Sequence, residues 1–253
     1  PEENCPGSFT SDFFTKENYD NKNAIRNFSE AVDFITYEFE NIPIETIDFI
    51  EDNKKIRPGK KSLLLTQDRL TEKEFLSKLN IPIAPYVSIE DANDIKEAHK
   101  KFNDCIIKTR TLGYDGKGQA SIKNQDNYEE IYKNIKLESI IEKKIPFEFE
   151  VSVIIARDIE GNIYHYPIGK NIHENHILKH TYSPTQLNEV QTNKLISYSE
   201  KIITELDHIG ILAVEFFVAK NDILVNEIAP RVHNSGHWTI DACDISQFEQ
   251  HIL

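Results

Sequence analysis

Methionine is absent from the chain, and cysteine is scarce, with Cys5, Cys105 and Cys243 scattered over 253 residues. An odd count without metal-ligand spacing argues against a disulfide framework and a cysteine-based zinc site. It favours a reducing compartment, the cytoplasm being the simplest reading. Cations are also in short supply: 29 Lys and Arg stand against 42 Asp and Glu, a formal charge of -13. That balance excludes an extended nucleic-acid footprint, which needs Lys and Arg in excess, but leaves room for small anions held by local basic residues. No run approaches the roughly 20 consecutive apolar residues of a membrane-spanning helix. Residue 1 is a proline, in Pro1-Glu-Glu-Asn-Cys-Pro-Gly, which is neither an initiator nor a signal peptide, and with the lack of methionine it predicts an internal segment with protein missing at both ends. What is present, 39% hydrophobic and 28% charged residues, is the composition of an ordinary globular chain with one large core or two to three subdomains.

Residues 23–29 fit a short amphipathic helix and residues 31–39 a buried strand stopped near Pro43, which together predict a parallel α/β layer. A polar start, Thr66-Gln-Asp-Arg69, opens a helix carrying Leu70, Phe75, Leu76 and Leu79 and closing at Asn80 and Pro82. Residues 91–102 read as a second amphipathic helix. Residues 105–108 and 119–122 read as strands flanking a glycine-rich loop, a β-loop-β context unlike that of a P-loop or dinucleotide fingerprint. In residues 147–155 apolar side chains alternate with Glu148 and Glu150, which therefore project together from one face of a strand. Leu195, Tyr198, Ile202, Ile203 and Leu206 follow helical spacing.

Residues 211–219 and 223–228 form a hairpin pattern around Lys220-Asn221-Asp222. A three-residue loop places Glu215 opposite Glu227. Like charges opposite one another among Ala213, Phe217, Ile223 and Val225 are costly, and a bound cation resolves the conflict. Two carboxylates with room for phosphate oxygens suit magnesium. Both acids on a solvated face with Lys or Arg partners is the other reading. Arg231 strengthens the metal and phosphate reading, because a planar guanidinium binds phosphate bidentately. Gly113, Tyr114, Asp115, Gly116, Lys117, Gly118 and Gln119 place three glycines and a lysine in seven residues. Such a loop either cradles and covers phosphates or is an ordinary turn. His165, His176 and His180 read as surface or packing residues, and Trp238 as a packing anchor.

In order and spacing, Lys108 with the glycine-rich loop, Ile140-Ile-Glu142-Lys-Lys-Ile145 followed by Glu150, and Glu215 followed by Asn226-Glu227 resemble the nucleotide site of the ATP-grasp superfamily. Thr36-Tyr-Glu38-Phe-Glu40-Asn41-Ile-Pro43, Gly113 to Gln119, Asn171-Ile-His173-Glu-Asn175 and Asn226-Glu-Ile-Ala-Pro-Arg231 to His237-Trp-Thr239 look like the 5-(carboxyamino)imidazole ribonucleotide synthetase family. The resemblance covers essentially the whole chain. It implies an α/β fold of ATP-grasp type: the remainder of an N-terminal α/β domain in residues 1–60, an ATP-grasp region in 61–253 with a lid at about 85–142 and a central antiparallel subdomain at about 143–253, and no C-terminal subdomain.

The same resemblance implies roles for individual residues. Arg69 and Lys108 meet the ATP phosphates beneath the 113–119 lid. Glu142, Lys143, Lys144 and Ile145 read adenine, Glu150 holds the ribose hydroxyls, and His173 flanks the nucleotide, with Asn226 beside Glu227. Glu215 and Glu227 bind magnesium. Glu38, Tyr114, Asp115 and Lys117 surround bicarbonate and the reacting amine, while Arg231, His233, Asn234 and Ser235 lie toward the carboxyphosphate and ribonucleotide. The implied activity is ATP- and bicarbonate-dependent carboxylation of 5-aminoimidazole ribonucleotide by a cytoplasmic homodimer. Competing readings are another ATP-grasp ligase, of the formate-dependent glycinamide ribonucleotide transformylase or biotin carboxylase type, and a non-catalytic nucleotide-binding remnant. One departure is Ala229, where many ATP-grasp enzymes carry an asparagine that can ligate the metal.

Overall fold

The computed structural model describes residues 5–50, 55–113, 118–123, 127–220 and 222–253. At its start, α1 (Lys22–Glu30), α2 (Ile44–Asp48) and α3 (Lys60–Thr66) enclose Tyr37, Ile47, Ile50, Ile56 and Leu63. The strand expected over residues 31–39 is not formed. The segment is extended, but its described backbone partner is a single parallel bridge, Ile35 to Ile56, made by Ile35 N–H to Lys55 O and Arg57 N–H to Ile35 O, both 2.8 Å. Ile35 and Tyr37 turn into the cluster while Phe34 and Phe39 are 74% and 52% exposed. Alternation thus holds through Tyr37 and fails at Phe39, which shares the parity of Ile35 and Tyr37 but turns outward, and the segment lacks a ladder.

Asp68 starts α4 (Arg69–Lys78) by accepting from the amides of Leu70 and Thr71. These are two of the donors a helix leaves unpaired at its start. The helix leads to a four-stranded antiparallel sheet of β1 (Tyr86–Ile89), β2 (Cys105–Thr109), β3 (Gln119–Ser121) and β4 (Ser139–Lys143), in the order β1-β4-β2-β3. α5 (Ala92–Phe102) and α6 (Tyr128–Asn134) cover one face of it through Ile95, Phe102, Cys105, Ile107 and Ile141.

The larger sheet contains β5 (Phe149–Arg157), β6 (Ile163–His165), β7 (Gly169–Glu174), β8 (Ile177–Tyr182), β9 (Gly210–Val218) and β10 (Ile223–Ala229). Its order is β10-β9-β5-β7-β8, with β6 beside β5. α7 (Glu189–Glu205) begins at a capping box between Asn188 and Gln191 and packs Leu195, Ile202 and Ile203 on Val151, Val153, Leu212, Val214 and Phe216. Each such side chain contributes about 1.5–3 kcal/mol by leaving water. Alternation then sends Ala213, Glu215 and Phe217 to the opposite face, which looks toward the smaller sheet. Two short helices, α8 (Thr239–Ala242) and α9 (Gln247–Ile252), end the chain. Among the described residues no helix is long and apolar enough to cross a membrane.

His208, fully buried between α7 and β9, joins the first cluster to this sheet. Its Nε2 donates to Ile211 O at 2.9 Å and its Nδ1 accepts from Ser62 Oγ at 3.0 Å. Burial holds it down to about 3, against an ordinary 6.5. The unfolded chain therefore takes up a proton that the native state refuses, and stability is lost as pH falls from about 6.5 toward 3. Urea denaturation should show a midpoint that drops between about pH 7 and pH 5, and a smaller drop in His208→Gln, whose side chain cannot ionise. Equal slopes would contradict this assignment.

Candidate functional site

The hairpin of β9 and β10 brings two acids face to face by an unexpected route. Its tip pairs Ile223 with Val218 and Val225 with Phe216, the register of a four-residue connection and not the three residues expected. A bulge at Asn226 then adds one residue to β10, and beyond it Glu227 faces Glu215. The bulge also lets the adjacent Asn226 and Glu227 line one cavity.

That cavity, about 780 Å³, lies between the two sheets. Lys108 and Ile106 reach it from β2, and Glu215 and Phe217 from β9. In each pair one step of two residues, about 7 Å, separates a charged wall from an apolar one. The register across β5 repeats this order: Ser152 is opposite Glu215, and Glu150 is opposite Phe217 and Asn171. The cleft thus has a charged row at Glu215 and Glu227 and, one step away, a row offering Glu150 beside an aromatic ring. Phe217 stacks on Phe147 at 4.6 Å between centroids.

The charged row is unevenly compensated. Glu227 Oε2 accepts from Arg69 Nη1 at 3.1 Å, and although burial opposes its charge, Arg69 and Lys108 hold it below the usual carboxylate range. Burial and the facing Glu227 push Glu215 up to about 8. Glu215 Oε1 and Asn226 Oδ1 are buried without a hydrogen-bond partner among the described residues. Opposite them, Lys108 Nζ donates to Glu142 Oε2 at 3.0 Å, and Lys73 Nζ makes an ion pair with Glu142 Oε1 at 3.2 Å. Burial works against the Glu142 charge as well, but the two lysines and Arg69 hold it down to about 2. The expected adenine-reading acid therefore turns its carboxylate to two lysines, while Lys143, Lys144 and Ile145 line the cavity beyond it. Glu150 Oε2 and His173 Nδ1 are bonded at 2.8 Å, which raises the His173 pKa.

Gly113, Gly118 and Gln119 also line the cavity, whereas the expected Tyr114, Asp115, Gly116 and Lys117 lie outside the described residues. Gly118 has φ +74°, and a Cβ there would stand 2.5 Å from Thr109 Oγ1, so only glycine fits. Arg110, which sequence reasoning missed, ties the start of the loop to the α4 cap: its Nη2 is 2.6 Å from Asp68 Oδ2, and its Nη1 is 2.8 Å from Glu138 Oε2. His176, read as a surface or packing residue, instead lines the cavity. It forms a 3.1 Å bond with Gln119 Nε2 across the sheets, from a tight turn in which Asn175 and His176 both have positive φ. Asn171, Phe217 and Leu178 line it too. For Phe217 the signal was available, two residues beyond Glu215 on the same strand face.

A second cavity of about 150 Å³ adjoins the first through Arg69, Gly113, Glu227, His233 and Asn234. Arg231 lines it and is ion-paired through Nε to Glu40 Oε2, which lines it as well. Glu38, the residue expected there, is exposed and lines neither cavity; it acts on Arg231 only through its charge. Alternation along the extended segment makes Glu38 and Glu40 equivalent in pattern, so the sequence did not separate them. Ser235, expected at the substrate, is fully buried and lines neither cavity. Its Oγ and amide both bond His233 Nδ1, at 2.9 and 3.3 Å, which leaves the His233 proton on Nε2. Burial keeps His233 neutral, down to about 4.

The fold and this cleft define an ATP-grasp protein: the family model of the ATP-grasp domain matches residues 74–248, and that of the ribonucleotide synthetase preATP-grasp domain residues 1–67. Within that class the chain belongs to the N5-carboxyaminoimidazole ribonucleotide synthase family. It is 39% identical to the enzyme of that name from Staphylococcus aureus over all of this chain and 68% of the relative. Against the "Bifunctional purine synthesis protein purC/E" of Dictyostelium discoideum it is 42% identical over 99% of this chain but only 26% of the relative. The chain thus spans about two thirds of the single-function relatives and a quarter of the bifunctional one. The crystal structure of the Staphylococcus aureus N5-carboxyaminoimidazole synthetase with ADP superposes with TM-score 0.93 at 39% identity, over all of this chain and 68% of the other. The Aspergillus clavatus carboxyaminoimidazole ribonucleotide synthase with ATP superposes with TM-score 0.91 at 26% identity, over 99% and 67%.

Behind β10 stands Glu72, a buried acid that no sequence signal marked as part of the site. It lies one turn beyond Arg69 on α4, lines the second cavity, and accepts from Ile228 N–H at 3.0 Å. α4 thereby grips β10 at two neighbouring points, the Glu227 side chain and the Ile228 backbone. Glu72→Ala strands that buried amide and should lower stability by about 1–3 kcal/mol in urea denaturation, with Glu72→Gln, which keeps an acceptor, losing less. Equal losses in the two variants would mean that the amide bond is not what Glu72 supplies.

Proposed function

We propose that the protein carboxylates 5-aminoimidazole ribonucleotide with ATP and bicarbonate, releasing N5-carboxyaminoimidazole ribonucleotide, ADP and phosphate for purine synthesis. The observation that carries this reading is the facing pair of Glu215 and Glu227, with Glu215 Oε1 and the neighbouring Asn226 Oδ1 unsatisfied among the described residues and Lys108 and Arg69 lining the same cavity, in a chain of this family. Buried acceptor oxygens left without a donor fit a divalent cation, so Glu215, Glu227 and Asn226 would hold magnesium, which when bound neutralises phosphate charge.

In this reading Lys108 and Arg69 draw the phosphates to the charged row. Glu150 and His173 take the ribose, one strand step away, and Lys143 to Ile145 take the adenine with Phe217. A bicarbonate oxygen attacks the γ-phosphorus and the bond to the β–γ bridging oxygen breaks, giving carboxyphosphate and ADP. The amine nitrogen then bonds the carboxyl carbon, phosphate leaves, and the amine loses a proton. Loose phosphoryl transition states are stabilised by fixed charge and alignment, which is what Lys108 and Arg69 supply. The second cavity, with Arg231, Glu40, His233 and Asn234, suits the acceptor. Glu38, Tyr114, Asp115 and Lys117 are assigned to bicarbonate and amine by family resemblance, Glu38 or Asp115 as the base. The same resemblance assigns the 113–119 loop to shielding the carboxyphosphate, which water would otherwise destroy. The resemblance also carries a cytoplasmic homodimer.

Full-length protein given ATP, magnesium and bicarbonate should release ADP only when the ribonucleotide is added, and Glu227→Gln should slow that release by about 100-fold or more. ADP release indifferent to the ribonucleotide, or none at all, would overturn the proposal.

A further inference from the structure

Among the described residues Lys73 is the most deeply buried lysine, arginine or acidic side chain. It is 1% exposed, against 9% for Lys108, and it lines neither cavity. It projects from α4 at the fourth position after Arg69, on the same helix face. Its ammonium reaches across to β4, where it lies 3.2 Å from Glu142 Oε1 and 6.0 Å from the centre of the Tyr86 ring. Tyr86 and Glu142 are cross-strand partners, so the lysine end is enclosed by a ring and a carboxylate. The carboxylate is shared: Oε1 faces Lys73 and Oε2 accepts from Lys108, one oxygen for each lysine.

A residue that reaches no ligand is still placed to govern one that does. Lys108 lines the cleft, and its ammonium is committed to Glu142. One of its three donors is taken there, and a phosphate that draws the ammonium toward the cleft weakens its hold on the carboxylate. Without Lys73, its departure would leave an ionised carboxylate that is 4% exposed with no cation in contact and only the charge of Arg69 nearby, and leaving a buried charge so poorly compensated is unfavourable. With Lys73 fixed on the other oxygen, the carboxylate stays compensated.

We propose that Lys73 is a positioning residue for nucleotide phosphate: by holding Glu142 from behind, it frees Lys108 to exchange that carboxylate for the phosphates. The proposal rests on the nucleotide reading of the cleft. It makes a distinction that a merely structural lysine would not, because adenosine has no phosphate and so asks nothing of Lys108.

Binding of ATP by calorimetry and of adenosine by ligand-observed NMR separates the two on the full-length protein. Lys73→Met, close in volume and uncharged, should weaken ATP about 10-fold or more while adenosine changes by less than about twofold. In Lys73→Met/Glu142→Gln no carboxylate remains to be stranded, and the ratio of ATP to adenosine affinity should return to within about threefold of wild type. Unchanged ATP affinity in the single variant, or equal weakening of ATP and adenosine, would overturn the assignment. So would a double variant as impaired toward ATP as the single one, and this arm decides alone if the single variant does not fold. A wild-type protein that binds no ATP would sink the nucleotide reading itself, a separate failure.

Discussion

Two carboxylates held opposite one another on β9 and the edge strand β10 are the constraint around which the cleft is arranged. Facing like charges on adjacent strands destabilise a sheet, and low polarity around them magnifies the effect. The fold relieves half of the conflict with Arg69, which pairs with Glu227 and leaves Glu215 Oε1 without a donor. An arrangement that costs stability and is only half relieved is one that the proposed magnesium would complete. The surrounding core is dense enough to hold it: Val214 and Phe216 lock β9 from the helix face, so Glu215 cannot turn away without moving the strand.

Helix α4 is what joins that pair to the opposite wall. Its first two turns present Arg69, Glu72 and Lys73 on one face, and each reaches a different target: the Glu227 side chain, the Ile228 amide and the Glu142 carboxylate. Two of these lie on β10 and the third on β4 of the other sheet. The helix N-terminus is itself anchored, since Asp68 caps it and receives Arg110 from the strand end where the glycine-rich loop begins. Both walls of the cleft are thus referenced to one short helix. The position of Lys108 over Glu215 and Glu227 follows from side-chain charges of fixed spacing rather than from loops.

The elements with strong periodicity were legible in the sequence. The helices at residues 91–102 and 195–206, the strands flanking the glycine-rich loop, and the facing of Glu215 with Glu227 all follow from spacing. The last was reached through a loop length that the structure does not have. A bulge at Asn226 makes up the difference, and bulges leave no mark in a pattern of apolar residues. Residues 31–39 carry a strand pattern without a ladder, because alternation states which face a side chain takes but not whether a neighbour exists to pair with. Among site residues, those reached by motif spacing line the cleft, from Lys108 and Glu150 to His173 and Asn226. Ser235 and Glu38 do not: Ser235 is buried beneath His233, whose Nδ1 caps its amide and bonds its Oγ, and Glu38 is exposed. Glu72, Lys73 and Arg110 were invisible for a common reason: each acts through a partner far away in sequence, and a lone charge on an amphipathic helix or strand end reads as solvated surface.

The two cavities divide the chemistry in a way the fold makes intelligible. The larger is built between two sheets from strand residues that put a charged row one two-residue step from an apolar one. Such a frame serves any reaction that begins with a nucleotide. The smaller is built where β10 ends, from Arg231, His233 and Asn234 against Glu40 of the N-terminal segment. Its walls come from parts of the chain that owe their meeting to tertiary contact alone. The ion pair of Arg231 with Glu40 closes that meeting, and His251 adds to it by bonding Thr36 Oγ1 through Nε2 and Ile211 N–H through Nδ1. The segment that presents Glu40 is therefore held on the central sheet from two sides. On the proposed assignment of the acceptor to the smaller cavity, selectivity for it would depend on how the N-terminal segment sits on the sheet, whereas nucleotide binding would belong to the sheets themselves.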